Sequence, residues 1–192
     1  MPKNILIIHK RSDFRQWLLN NHSSESECWV KIKRGKPSDD EHLWYIDAVE
    51  EALCFGWIDS TMQTIDGHLL QRFSPRRKNS HWTELNKERC RRLEQLGLMT
   101  DAGRASLPKM HSRSFKFDTD FVNALKQARV WSKFEQFPML YQRIRANNLS
   151  FTKVKNPQNY SKALTRLIEE TKKGRTYGEW NDYGRLLTND EI

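Results

Sequence analysis

Apolar residues recur along this chain at two spacings, and the switches between them predict the elements. Residues 4–9, NILIIH, form a short extended lead-in. A helical spacing follows, with Ser12 as the expected N-cap and Phe14, Trp17 and Leu18 on one face to about Asn21. Glu27–Lys33 alternates, placing Cys28, Val30 and Ile32 on one side, which predicts a half-buried strand. After a polar turn at 35–40, Ile46, Val49 and Leu53 mark a helix from about Trp44 to Phe55, with Gly56 as its C-terminal stop. Thr61–Phe73 reads as a hairpin around Asp66-Gly67, with a loop of two or four residues.

From there on the period is helical. A helix starting at Trp82 or Thr83 and ending before Gly97 carries Trp82, Leu85, Cys90, Leu93 and Leu96 in one arc. Thr100 caps a shorter helix to about Met110, and His111–Lys116 reads as a linker. Phe121, Ala124, Leu125 and Ala128 share a face, followed by Trp131 and Phe134. Pro138 opens a helix with Tyr141 and Ile144, and Asn156-Pro157 opens the last, ending at Gly174. The aromatic tail from Arg175 is expected to pack back. The pattern predicts an α+β fold, with a small, mainly antiparallel sheet and packed helices over residues 1–115. A helical segment over 116–192 follows it.

Charge adds a class of partner to this picture of the fold. The 192 residues carry a formal charge of +9, and the segment from Arg72 to Arg92 alone holds eight Lys/Arg against two glutamates. Such a balance favours anionic partners. Phosphorylated or carboxylated small molecules come first, and nonspecific nucleic-acid binding is an alternative. A second basic run, Lys153, Lys155, Lys162, Arg166, Lys172, Lys173 and Arg175, reads as a solvated helix face. Three cysteines without CxxC or Cys/His spacing suit packing in a reducing compartment. No apolar run is long enough for a membrane span. Together these predict a cytoplasmic protein.

Residues 56–82 concentrate the candidate chemistry. Arg72, Arg76, Arg77 and Lys78 precede a helix start, whose unpaired N–H groups and partial positive charge favour anions. Arginine forks add two-point recognition of phosphate or carboxylate. Trp57, Asp59, Ser74, Ser80 and Trp82 complete the predicted ligand site. Asp59 is the one catalytic candidate, but neighbouring arginines would depress its pKa and favour a salt bridge. His68 and His81 lack partners at metal-ligand spacing. There is no P-loop, GxGxxG, HExxH or Ser-His-Asp order, and neither a cofactor nor a metal is expected.

The stretches LCFGWIDS, LQRFSPRRKNSHWTELN and LGLMTDAG, in that order, resemble bacterial YdeI/OmpD-associated proteins. The matching positions are Gly56, Trp57, Ile58, Asp59, Gln71, Arg72, Phe73, Pro75, Arg76, Arg77, Ser80 and Trp82. With Trp17, Trp29 and Val30, the resemblance spans residues 10–110. It implies an accessory protein of the bacteriocin-protection or stress-response kind, with no established reaction. The family's helical C-terminal module is matched only loosely by FPMLYQRIR and NPQNYSKALTRLIEETKKG. The Trp-Ile pair is missing there, and the arginine pair is reduced to Arg166. An enzyme acting on a phosphorylated or carboxylated small molecule is the alternative.

Overall fold

The computed structural model describes residues 4–110 and 115–186. The fold is α+β, with a four-stranded sheet in the order β1-β2-β4-β3. The strands are β1 (Ile5–Leu6), β2 (Cys28–Lys31), β3 (Trp57–Ile65) and β4 (His68–Pro75). β1 and β2 run parallel, whereas β2–β4 and β3–β4 are antiparallel. Residues up to His81 together with Arg89–Lys109 form one compact unit; Trp82–Glu88 and the residues from Met110 onward form another.

In the first unit, α1 (Arg11–Asn21) and α2 (Tyr45–Cys54) pack against each other, and α2 packs on β3. Phe14 and Leu18 of α1 are fully buried, and the Phe14 ring meets Phe73 of β4 at 5.3 Å. Ser12 is not the cap. Lys10 holds the N-cap position, and the Ser12 hydroxyl bonds to its neighbour Asp13 instead. β2 is covered more completely than its alternation predicts, because Trp29, on the face opposite Cys28 and Val30, is also buried.

Gly56 takes φ +74°, in the left-handed region that suits glycine, and the chain enters β3 immediately afterwards. The strand therefore begins at Trp57, four residues before the expected hairpin start. Asp66 and Gly67 both have positive φ (49° and 73°), and Ile65 pairs with His68, so the loop has two residues and the type I′ form. A β-bulge interrupts β3 between Asp59 and Met62. The buried Gln71 amide fills it, donating to the Ser60 and Thr61 carbonyls at 3.2 Å each. A distortion of the ladder is thus satisfied by one side chain from the neighbouring strand.

α3 (Glu84–Gln95) begins just after Thr83, whose hydroxyl accepts from the Asn86 N–H. Leu96, predicted in its apolar arc, is 53% exposed. α4 (Asp101–Ala105) keeps the predicted Thr100 cap, which accepts from the Gly103 N–H. It stops well short of Met110, since Leu107 precedes Pro108 and is steered out of helical dihedrals. Of the expected linker, residues 111–114 lie outside the described residues.

The second unit holds α5 (Thr119–Gln127), α6 (Trp131–Phe134), α7 (Met139–Lys155) and α8 (Pro157–Lys172). Its core joins Phe121, Leu125, Phe134, Tyr141, Ile144 and Leu167, and the tail returns Trp180 and Leu186 to it. The segment Trp82–Glu88 is tied in by Arg143, which is buried and ion-paired to Glu84 and Glu88. Asn156 alone joins α7 to α8. Its backbone N–H closes the end of α7 on the Thr152 carbonyl, and its side chain caps the start of α8 by accepting from the Asn159 N–H.

Candidate functional site

The structure does not gather the predicted residues of 56–82 into one pocket. Trp57 is 1% exposed; its indole N–H donates to the His22 carbonyl at 3.1 Å, and its ring meets Trp17 edge-on. It is core and cannot line an accessible site. Arg72 is committed to Glu27, with Nη2 and Nε at 2.6 and 2.8 Å from one carboxylate oxygen, and to the Ser60 hydroxyl. Arg76 donates to the Ser80 hydroxyl and the His81 carbonyl, and burial draws its pKa down. Ser74 is half-buried opposite Ile58, and Arg77 is exposed. Trp82 is buried and belongs to the second unit.

The expected anion position at the start of α3 is taken by the protein itself. Asn147 accepts from the Glu84 N–H at 3.2 Å, and Thr83 from that of Asn86. The anion in the first turn is Glu84, 3% exposed and paired to Lys87 and Arg143. Donors already engaged in this way have little to offer a ligand.

Asp59 has a partner that the sequence did not indicate. The Tyr45 hydroxyl donates to it at 2.7 Å, with the Arg34 guanidinium 4.4 Å over the Tyr45 ring. Burial, and then the Asp59 charge, push the Tyr45 phenol above its ordinary range, so it stays protonated. The pair is an oriented donor and acceptor next to α2. The tyrosine supplies no proton at neutral pH.

Three acidic residues of α2 are also buried: Asp47, Glu50 and Glu51. Arg11 reaches all three, at 3.0, 2.9 and 2.6 Å; Arg15 holds Glu51 and Arg92 holds Glu50. Burial works against the Arg11 charge, but its carboxylate partners outweigh it and raise its pKa further. This is a structural ion network with its charges matched.

The cationic cleft lies in the helical unit. It measures about 380 Å³ and is walled by α7, α8 and the tail. α7 contributes Arg145, Asn148 and Thr152; α8 contributes Asn159, Lys162 and Arg166; Tyr177 closes it from the tail. Leu149 and Ala163 complete the lining, and none of the nine residues is acidic. The Arg145 guanidinium lies 4.1 Å over the Tyr177 ring and donates to the Tyr177 carbonyl, while Arg166 stacks on the same ring at 4.6 Å. The buried Arg145 Nε has no hydrogen-bond partner among the described residues. Burial raises the Tyr177 phenol pKa although both arginines oppose it. The tyrosine is therefore neutral and presents a ring.

Sequence reading placed Lys162 and Arg166 on a solvated face and passed over Arg145, Asn148, Asn159 and Tyr177. The available signal was a repeated spacing. Positions 145, 148 and 152 on one helix and 159, 162 and 166 on the next are polar at i, i+3 and i+7, on either side of a one-residue joint. Among the described residues, no group of three or more His, Cys, Asp or Glu could hold a metal ion.

Against known families, residues 6–106 match a domain of unknown function, DUF8412. The match covers more than half of the chain, which therefore belongs to that family. Comparison with curated proteins and with solved structures gave no match. The matched region contains the sheet except Ile5, the Tyr45–Asp59 pair and the α2 ion network; the cleft lies beyond it. No described helix is long and apolar enough to cross a membrane.

Proposed function

We propose that this protein binds a small organic anion in the cleft of its helical unit and acts as an accessory protein, not through catalysis. The observation that supports this reading is the cleft lining: Arg145, Lys162 and Arg166, with no acidic residue among the nine. Elsewhere the basic side chains named above are largely engaged with the protein's own carboxylates, as Arg11, Arg72, Arg92 and Arg143 show. Arg145 and Arg166 instead stack on an aromatic ring, which leaves guanidinium N–H edges for a ligand. No histidine, carboxylate or thiol lines the cleft to serve as base or nucleophile. The three free, buried cysteines favour a reducing, cytoplasmic setting. The resemblance to YdeI/OmpD-associated proteins fits the same accessory role.

Thermal-shift measurements with phosphate, sulfate and citrate test the reading. At least one anion should raise the melting temperature in a saturable way. The Lys162→Ala/Arg166→Ala variant should lose that response while keeping its unliganded melting temperature. A wild-type protein that no anion stabilises would remove the support for the site.

A further inference from the structure

The cleft is ordered by charge along its length. At the Asn156 joint, its walls are the Thr152 hydroxyl and the Asn159 amide. One turn along, Asn148 on α7 accompanies Lys162 on α8. At the far end stand Arg145 and Arg166 with Tyr177. Because the chain reverses at a single residue, the i, i+3, i+7 series of the two helices run opposite one another: 152 with 159, 148 with 162, 145 with 166. The result is a neutral polar end and a cationic end within one cleft.

We propose that the cleft takes a phosphorylated polyol, such as a sugar phosphate, with its phosphate at Arg145 and Arg166 and its hydroxyl-bearing body toward Asn156. This rests on the anion-binding reading above and names its ligand class. A phosphate monoester carries close to two charges and three terminal oxygens, enough to engage two guanidinium forks and the Lys162 ammonium together. A single carboxylate has two oxygens and one charge, and it satisfies one fork. The amides of Asn148 and Asn159 both donate and accept, as hydroxyls do, and so match an alcohol better than a second anion or an alkyl chain. Leu149 and Ala163, between these polar positions, offer apolar contact to the C–H faces of a sugar ring. A volume near 380 Å³ is within the range of small-molecule sites and exceeds what inorganic phosphate fills.

Calorimetric titration of the full chain separates the possibilities, with glucose 6-phosphate, inorganic phosphate, glucuronate, glucose and a short single-stranded oligonucleotide as probes. Asn148, Asn159 and Arg166 are all exposed, so the variants should fold. Glucose 6-phosphate should bind roughly tenfold or more tighter than inorganic phosphate or glucuronate, and glucose should not register. Asn148→Ala/Asn159→Ala should reduce glucose 6-phosphate to the affinity of inorganic phosphate and leave the latter unchanged. Arg166→Gln should weaken both phosphates about tenfold. Equal binding of the two phosphates, or no effect of the asparagine variants, overturns the polyol assignment while the anion site stands. The oligonucleotide as tightest ligand, with steep salt dependence, overturns it in favour of a polymer phosphate. If none of the anions binds, both the assignment and the anion site fail.

Discussion

The Tyr45 hydroxyl donates to the Asp59 carboxylate at 2.7 Å, tying the first residue of α2 to the third of β3. Burial raises the phenol pKa most, followed by the carboxylate's charge and the hydrogen bond to it. Asp59→Asn keeps an acceptor and removes that charge. One of the five tyrosines should then ionise at lower pH in a spectroscopic titration. An unchanged titration curve would show that Asp59 has no electrostatic hold on Tyr45.

Alkaline pH should destabilise the protein through its buried thiols. Burial pushes Cys54 up to about 11 and Cys90 up to about 12, from an ordinary 9.0. A folded-state pKa above the unfolded one means that the unfolded chain releases its proton first. The stabilisation is complete below pH 9 and is lost as pH rises through the folded values. Urea midpoints should fall steadily above pH 9, and a disulfide-exchange reagent at pH 8 should label the cysteines only as fast as the protein opens. Rapid labelling of the native protein would contradict their burial.

Glu50 should be the costliest carboxylate to remove. It is fully buried between Arg11 and Arg92, at 2.9 Å from each. Glu50→Ala leaves two guanidiniums without their shared anion. The expected loss is roughly 3 kcal/mol, the low end for a broken buried pair, because both arginines remain partly exposed. Urea denaturation measures it; a change below 1 kcal/mol would mean that the network relaxes into water.

Replacing Gly103 with alanine should reverse the usual sign for a helix. In an open helix that change stabilises by up to about 1 kcal/mol. Here a Cβ would lie 2.2 Å from the Cys54 carbonyl oxygen and 2.7 Å from its carbon, both backbone atoms that cannot swing aside. Overpacking of about 1–3 kcal/mol should prevail, visible as a lowered melting temperature. A stabilised Gly103→Ala protein would show that α4 is free to shift away from α2.

Apart from the Ser12 cap, local signals in the sequence were read well where a single residue decides the backbone. Gly56, the Asp66-Gly67 turn, the Thr100 cap and the Asn156-Pro157 start all appear as expected, because each depends on dihedral or capping preferences of its own side chain. Interactions set by distant partners were not legible. Arg72 looked available for a ligand, but its carboxylate, Glu27, is 45 residues away. Glu50 and Glu51 were not part of the expected core stripe of Ile46, Val49 and Leu53, yet arginines 36 to 42 positions distant accompany them into the interior. The cleft was missed for a related reason. A polar stripe on one helix looks the same whether it faces water or another polar stripe, and only packing distinguishes the two.

The one-residue joint at Asn156 leaves the chain no slack. Most interhelical connections absorb an inserted residue as a longer loop. Here Asn156 closes one helix with its backbone and opens the next with its side chain, so an added residue must be accommodated by α8 itself. If α8 takes it up, the helix turns by about 100° and advances by about 1.5 Å. Lys162 and Arg166 would leave the wall that they share with Asn148 and Arg145, while helical content would hardly change. The two walls of the cleft should therefore keep their alignment through substitutions of single lining residues and lose it on one insertion at the hinge, which makes helical phase a property that this part of the chain has to preserve.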